Sequence, residues 1–296
     1  MKRPILIATH GGAGADGAVR LGLMLARENG KPVEVVAVAR PVPRYPVPGV
    51  GDYPEGYALY DMIEREAVRR SVLDQLAKVG YEADDRWSVS VEAGNAAAAI
   101  ASRAAAVGAE LILVGSGPAV PAERWRGGDI ALRVVRLTTV PVLAVPADTV
   151  ALPARALVAI DFSEHSLRAA RAALSVMSQP AHIILAHVMW PAAEVGPFPS
   201  LAEWRTEYRR RAEACLDELA DGLSGGREVD VARVVCEGDP VQELLALASR
   251  LNVDLIAAGS HGHGYIGRVL LGTVSRQLLQ RARGMVLLVP PKSPQD

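Results

Sequence analysis

Cysteine is nearly absent. Cys215 and Cys236 are the only two in 296 residues, too few for a disulfide framework and suited to a reducing compartment, so both are expected to be buried spectators. Lysine is scarce, at Lys2, Lys31, Lys78 and Lys292, and acidic and basic residues cancel to a formal net charge of -1. That leaves no basic field to attract nucleic acid or an anionic membrane. Long apolar runs are missing as well. Ile5-Leu6-Ile7-Ala8 is too short for a signal-peptide core, and no later run reaches the length of a bilayer span, so a cytoplasmic location is expected.

What the sequence does contain is a repeat of itself. Residues 92–117 (EAGNAAAAIASRAAAVGAELILVGSG) align with residues 236–261 (CEGDPVQELLALASRLNVDLIAAGSH), placing Gly94 on Gly238, Glu110 on Asp254 and Gly115 on Gly259 at a constant offset of 144. The same offset relates Gly128 to Gly272 and Pro146 to Pro290, while residues 5–9 parallel 157–161 at an offset of 152. A tandem duplication follows. Its expected domains are residues 1–149 and 154–296, joined by a linker near 147–154.

Each half alternates strand and helix. LVAID, IILAHV, VDVARVV, LIAAG and MVLLV in the second half are short, nearly continuous apolar runs, the pattern of strands buried on both faces of a parallel sheet. Asp239-Pro240-Val241-Gln242 reads as a helix start, with a capping Asp, a first-turn Pro and a Gln that completes a capping box. The fold class is α/β: two tandem, doubly wound, five-stranded parallel-sheet domains. Long Pro- and Gly-rich segments at 41–57 and 190–200 are expected to be irregular, as lids or as packing surfaces.

The richest glycine cluster is GSHGHGYIGRVLLGTVS, residues 259–275, between the strand ending at Ala258-Gly259 and a helix resuming at Gly272. This is the carboxyl edge of a parallel sheet, where open α/β sheets bind ligands. Glycine lets an anion approach backbone N–H groups, and the helix start adds unpaired donors and a favourable dipole. Phosphate suits such a place; a tight corner with no ligand is the plainer alternative.

Gly259-x-x-Gly262, nine residues, then Gly272-Thr273 resembles the nucleotide motif of the ATP-binding members of the universal stress protein family. LVAIDFSEHS, LAHV and the terminal VLLVP fall where that family has its first, second and fifth strands. The resemblance implies an adenine nucleotide alpha hydrolase-like fold, with TVPVLAVP and GMVLLVP pairing the two halves into an internal pseudo-dimer. It further implies adenine and ribose near Ala159, Asp161, Val188, Ala258 and Gly259, and a triphosphate, with Mg2+, near His261, Gly262, Gly272, Thr273, Val274 and Ser275. AMP or a cyclic nucleotide remains open as the ligand, and so does a homodimer. Asp161 has two readings from its type and place: acceptor for a ribose hydroxyl, or cap of the following helix with Ser163.

The first half departs from this motif, with Pro118 in place of Gly262, Asp129 in place of Thr273 and Thr9 in place of Asp161. Proline lacks an N–H and aspartate repels phosphate, so this half is expected to be a degenerate partner. Gly12-Ala13-Gly14-Ala15-Asp16-Gly17 spells a dinucleotide fingerprint, yet the next strand, VEVVAVA, ends in Arg40 and not in an acidic residue. His261 and His263 lack further ligands at metal-binding spacing. With no P-loop lysine and no nucleophile–base set, the expected function is a nucleotide-dependent signalling or interaction module with slow or no hydrolysis. The alternatives are an ATP-hydrolysing or nucleotidyl-transferring enzyme of similar architecture, and an interaction protein with vestigial sites.

Overall fold

The computed structural model describes residues 2–40, 54–80, 86–117, 128–190, 201–223, 229–260 and 272–291. In the first half, β1 (Ile5–Ala8), β2 (Val33–Ala39), β3 (Trp87–Ala93), β4 (Leu111–Gly115) and β5 (Val142–Val145) alternate with α1 (Asp16–Asn29), α2 (Pro54–Lys78), α3 (Ala96–Ala106) and α4 (Gly128–Leu137). The second half repeats the order, with β6 (Arg155–Ala159), β7 (Ala181–Met189), β8 (Val229–Glu237), β9 (Leu255–Gly259) and β10 (Met285–Val289). Its helices are α5 (Glu164–Val176), α6 (Leu201–Leu223), α7 (Pro240–Arg250) and α8 (Thr273–Arg281). No helix among the described residues is long and apolar enough to cross a membrane.

All ten strands form one sheet in the order β3-β2-β1-β4-β5-β10-β9-β6-β7-β8. Every pairing is parallel except β5 with β10, where Leu143 lies opposite Leu287 and Val142 opposite Leu288. Leu143 and Leu287 are themselves equivalent under the repeat, so a pseudo-twofold axis passes between them. Both are fully buried. The expected internal pseudo-dimer is therefore a single sheet whose halves run in opposite directions.

Alternation along the strands sorts side chains into two cores, as the pleat requires. Ile5, Ile7, Leu157's neighbours Ala156 and Val158, and Leu287 pack under α1, α2, α5 and α6. Leu6, Ala8, Leu157, Ala258 and Leu288 pack under α3, α4, α7 and α8. Inner strands are buried on both sides, which explains their continuous apolar sequences, whereas the edge strands β3 and β8 are half-exposed.

Three local expectations change. Cys215 is exposed on α6 and Cys236 is half-buried on the edge strand β8, so neither is the buried spectator expected of it; an edge strand and the outer face of a covering helix leave them near solvent. The segment expected to be irregular through residue 57 yields to helix at Pro54, a residue whose fixed φ suits a first helical turn; residues 41–53 and 191–200 lie outside the described residues. The strand expected over residues 157–161 ends at Ala159, because Phe162 adopts φ 62 and turns the chain out of the sheet.

Candidate functional site

Within each half the chain winds outward from the first strand, then crosses to the other side, so strand order reverses between β1 and β4 and again between β6 and β9. A crevice opens at the carboxyl ends of such a pair because the connecting loops diverge to opposite faces. At the β6/β9 position lies a cleft of about 290 Å³. Nine of the residues singled out from the sequence line it: Ala159, Asp161, Val188, Ala258, Gly259, Gly272, Thr273, Val274 and Ser275. His261 and Gly262 lie outside the described residues.

Asp161 sits in the turn after β6. Its Oδ1 accepts hydrogen bonds from the Ser163 amide at 3.0 Å and the Ser163 hydroxyl at 2.6 Å. Ser163 in turn caps α5 by accepting from the Ser166 amide at 3.3 Å. The carboxylate is thus fixed by the helix cap while remaining in the wall of the cleft. The left-handed backbone of Phe162 is the cost of this turn, and strained backbone of this kind collects at ligand-facing loops.

Across the cleft, Gly259 closes β9 under the first turn of α5. A Cβ there would stand 2.8 Å from His165 Cβ and 3.2 Å from the Ser166 amide nitrogen, so this position requires glycine for closeness and not for φ. Ser275 is buried, and its hydroxyl donates to the Gly259 carbonyl at 2.6 Å, tying α8 to the strand end. The Gly272 amide donates to the Ser260 carbonyl at 2.8 Å. The helices α3, α5 and α7 are capped by the side chains of Asn95, Ser163 and Asp239. Gly272, the N-cap of α8, has no side chain to offer. Among the described residues the first turn of α8, which lines the cleft, has no side-chain cap, and it carries the positive end of the helix dipole.

Sequence reasoning passed over His187. It is buried, its Nδ1 lies 2.7 Å from the Ile160 carbonyl and its Nε2 lies 3.0 Å from the Tyr208 hydroxyl. The network assigns the proton to Nδ1, which donates to Ile160, leaving Nε2 to accept from Tyr208. Burial pushes this imidazole below its usual pKa, against the opposing pull of the Ile160 carbonyl and the Asp161 charge. A neutral His187 thus pins the backbone next to Asp161. Its place in LAHV, one residue before Val188, was the available signal.

The universal stress protein family profile matches residues 1–146 and again residues 154–290. This chain belongs to the universal stress protein family. It is 28% identical over 295 residues to universal stress protein Rv2005c of Mycobacterium tuberculosis, covering 96% of each. A universal stress protein of Thermus aquaticus matches 45% of the chain at 31% identity with 96% of its own length, so that relative is the size of one half. The crystal structure of a universal stress protein from Archaeoglobus fulgidus shares the fold, with a TM-score of 0.66 at 21% identity, covering 97% of this chain and 98% of that one.

In this universal stress protein the β1/β4 crevice is also hollow, with a cleft of about 360 Å³. Thr9 lies there in place of Asp161. Its hydroxyl donates to Gln75 Oε1 at 2.6 Å and accepts from the Gly11 amide at 3.1 Å, while Gln75 Nε2 donates to the Gly12 carbonyl and to Asp16. Two glycines of the dinucleotide-like run, Gly12 and Gly17, serve packing here. A Cβ on Gly17 would strike the Pro146 carbonyl, and one on Gly12 would meet the His10 ring at 2.5 Å.

Proposed function

We propose that the second half of this universal stress protein binds an adenine nucleotide, ATP with Mg2+, and that the chain acts as a nucleotide-dependent signalling or interaction module with slow or no hydrolysis. The observation that supports this most is the uncapped start of α8 facing Asp161 across one cleft at a strand-order reversal. The apolar walls Ala159, Ala258, Val188 and Leu244 suit a base. Asp161 suits a ribose hydroxyl, and the first-turn amides of α8 with the Thr273 hydroxyl suit phosphate. Among the described lining residues no lysine is present, and His187 has both ring nitrogens engaged, which argues against a general base poised beside a γ-phosphate. A cytoplasmic site of action accompanies this reading, since ATP is its ligand.

The test is calorimetric titration of ATP with Mg2+ into the wild type and into Thr273→Asp, which copies the first half's residue. Aspartate in a first helical turn favours the helix dipole, so α8 keeps its fold. A unit charge about 4 Å from phosphate is worth roughly 1–4 kcal/mol between bulk water and a protein surface, so affinity falls at least about fivefold. Saturable binding without phosphate release supports the module. Many turnovers per minute would support the enzyme class, and no binding of ATP, AMP or cyclic nucleotide would support vestigial sites.

A further inference from the structure

The offset of 144 that relates the two halves also relates the helices over their edge strands. Arg65 Nη1 of α2 donates to the Val91 carbonyl at 2.9 Å, and Arg209 Nη1 of α6 donates to the Val235 carbonyl at 2.8 Å, so both helices sit on their strands in one register. Val72 and Leu76 are buried beneath α2 as Leu216 and Ala220 are beneath α6. With the inner faces matched, the outer faces compare position by position. They differ in kind. Leu59, Met62, Ile63 and Leu73 of α2 stand where α6 has Glu203, Thr206, Glu207 and Asp217. On α6, Glu207 pairs with Arg210 and Arg211, and Asp217 pairs with Arg233. On α2, Leu59, Met62 and Ile63 are 53%, 60% and 53% exposed, and Leu73 is 42% exposed. The fold therefore does not require an apolar surface at this place, and four large apolar side chains in water along one helix mark an interaction face.

The pattern on that face selects its partner. By helical period, Leu59, Met62, Ile63, Glu66, Arg70 and Leu73 form one stripe opposite the buried line of Val72 and Leu76. Glu66 and Arg70 are exposed, lie one turn apart in the middle of the stripe, and join no ion pair among the described residues. One charge of each sign placed about a common midpoint is complementary to itself. A twofold axis level with Val68 lays a second α2 antiparallel to the first and sets Glu66 of each copy opposite Arg70 of the other. It also seats Leu73 against Met62 and Ile63 of the other copy and brings Leu59 onto the small Ala77. The ion pairs fix the register, and the apolar contacts supply the burial. Strand addition is a poor alternative, because Arg69 also donates to β3, at the Val89 carbonyl, and with Arg65 blunts that edge. A lipid surface would bury Glu66 without a partner.

We propose that the outer face of α2 is a self-association surface on which a second copy of this chain docks antiparallel, with Glu66 and Arg70 exchanging ion pairs between the copies. The proposal stands apart from nucleotide binding, since no described residue of α2 lines either cleft.

Sedimentation velocity of the full chain, run from low micromolar to millimolar concentration, is expected to show a monomer–dimer equilibrium. The triple variant Met62→Thr, Ile63→Glu, Leu73→Asp, which copies the surface of α6, is expected to stay monomeric with a thermal midpoint close to that of the wild type. Glu66→Arg and Arg70→Glu each set like charges opposite one another at two places, and each weakens its own dimer at least about fourfold. Mixing these two variants restores opposite signs at both places, so the mixed dimer regains the wild-type affinity. A charge effect confined to one helix cannot produce rescue by mixing. A wild type that is monomeric at millimolar concentration, a dimer indifferent to both charge reversals, or a mixture no tighter than its separate components would each overturn the proposal. So would capture of a monomeric wild type by phosphatidylcholine vesicles, which would give the face to lipid.

Discussion

The junction of β9 with α5 makes a sharp demand that a single methyl group tests. In Gly259→Ala the new Cβ would lie 2.8 Å from His165 Cβ and 3.1 Å from the His165 carbonyl carbon. Carbon atoms rest at about 3.5–4.0 Å, so the first turn of α5 must retreat by roughly 0.7–1.2 Å. The obstacle includes backbone, and no rotamer change relieves it. Overpacking of this kind costs about 1–3 kcal/mol. With an m-value near 3 kcal/mol/M the urea midpoint falls by about 0.3–1 M at unchanged slope. The same retreat moves the Ser163–Ser166 cap and, through the two bonds to Asp161 Oδ1, the carboxylate in the wall of the cleft. ATP affinity therefore falls along with stability. Gly115→Ala is the matched control: its Cβ meets Gly14 and, at 2.8 Å, Ala15 Cα, so stability falls comparably while ATP affinity holds. A Gly259→Ala protein with the wild-type midpoint and wild-type nucleotide affinity would refute the account of this junction.

Further predictions concern the frame around the clefts. Glu34 is 3% exposed in β2 and accepts from Ser88, Ser90 and Arg103; Arg103→Ala strands its charge and lowers stability by about 3 kcal/mol, the two serines holding the loss to the lower end for a broken buried pair, as read by urea unfolding. Leu143→Ala and Leu287→Ala each cost about 2–5 kcal/mol, and because the two residues face each other the double variant departs from additivity in the same assay. His187, whose folded pKa is depressed by burial, binds its proton more readily in the unfolded chain. Its contribution is fully present above the ordinary histidine pKa of about 6.5 and is lost as pH falls below that value toward the folded one, so His187→Gln shows a shallower loss of stability with acidification.

Much of this molecule is legible from its sequence because the repeat and the two-sided burial of its strands leave the same trace twice. The constant offset of 144 implies that Leu143 and Leu287 are equivalents, and equivalents opposite each other are what a pseudo-twofold junction requires. Nine of eleven named site residues line one cleft for a related reason: they lie at the carboxyl ends of β6, β7 and β9, in the turn after β6 or at the start of α8, beside a strand-order reversal. The illegible parts depend on partners far away in the chain. Nothing local says that Thr9 is held by Gln75, that Glu34 is buried under Arg103, or that Tyr208 reaches back to His187. Cys215 is exposed because of the face of α6 that it occupies, which the scarcity of cysteine in the sequence does not reveal.

The antiparallel β5/β10 pair also decides how the two clefts can relate. Both lie on the face covered by α3, α4, α7 and α8, since Ala8, Ile100 and Val114 of one and Ala186, Leu244 and Ala258 of the other belong to the same core. A twofold axis perpendicular to a sheet preserves the face and reverses the strands, so the clefts open at opposite edges. Four strand spacings of about 4.8 Å separate the two strand-order reversals, or roughly 19 Å, which is too far for one small molecule to bridge. Each cleft is therefore free to change its chemistry without disturbing the other. The exchange of Asp161 for Thr9 altered polar character at one rim while the sheet and its strand order stayed in place.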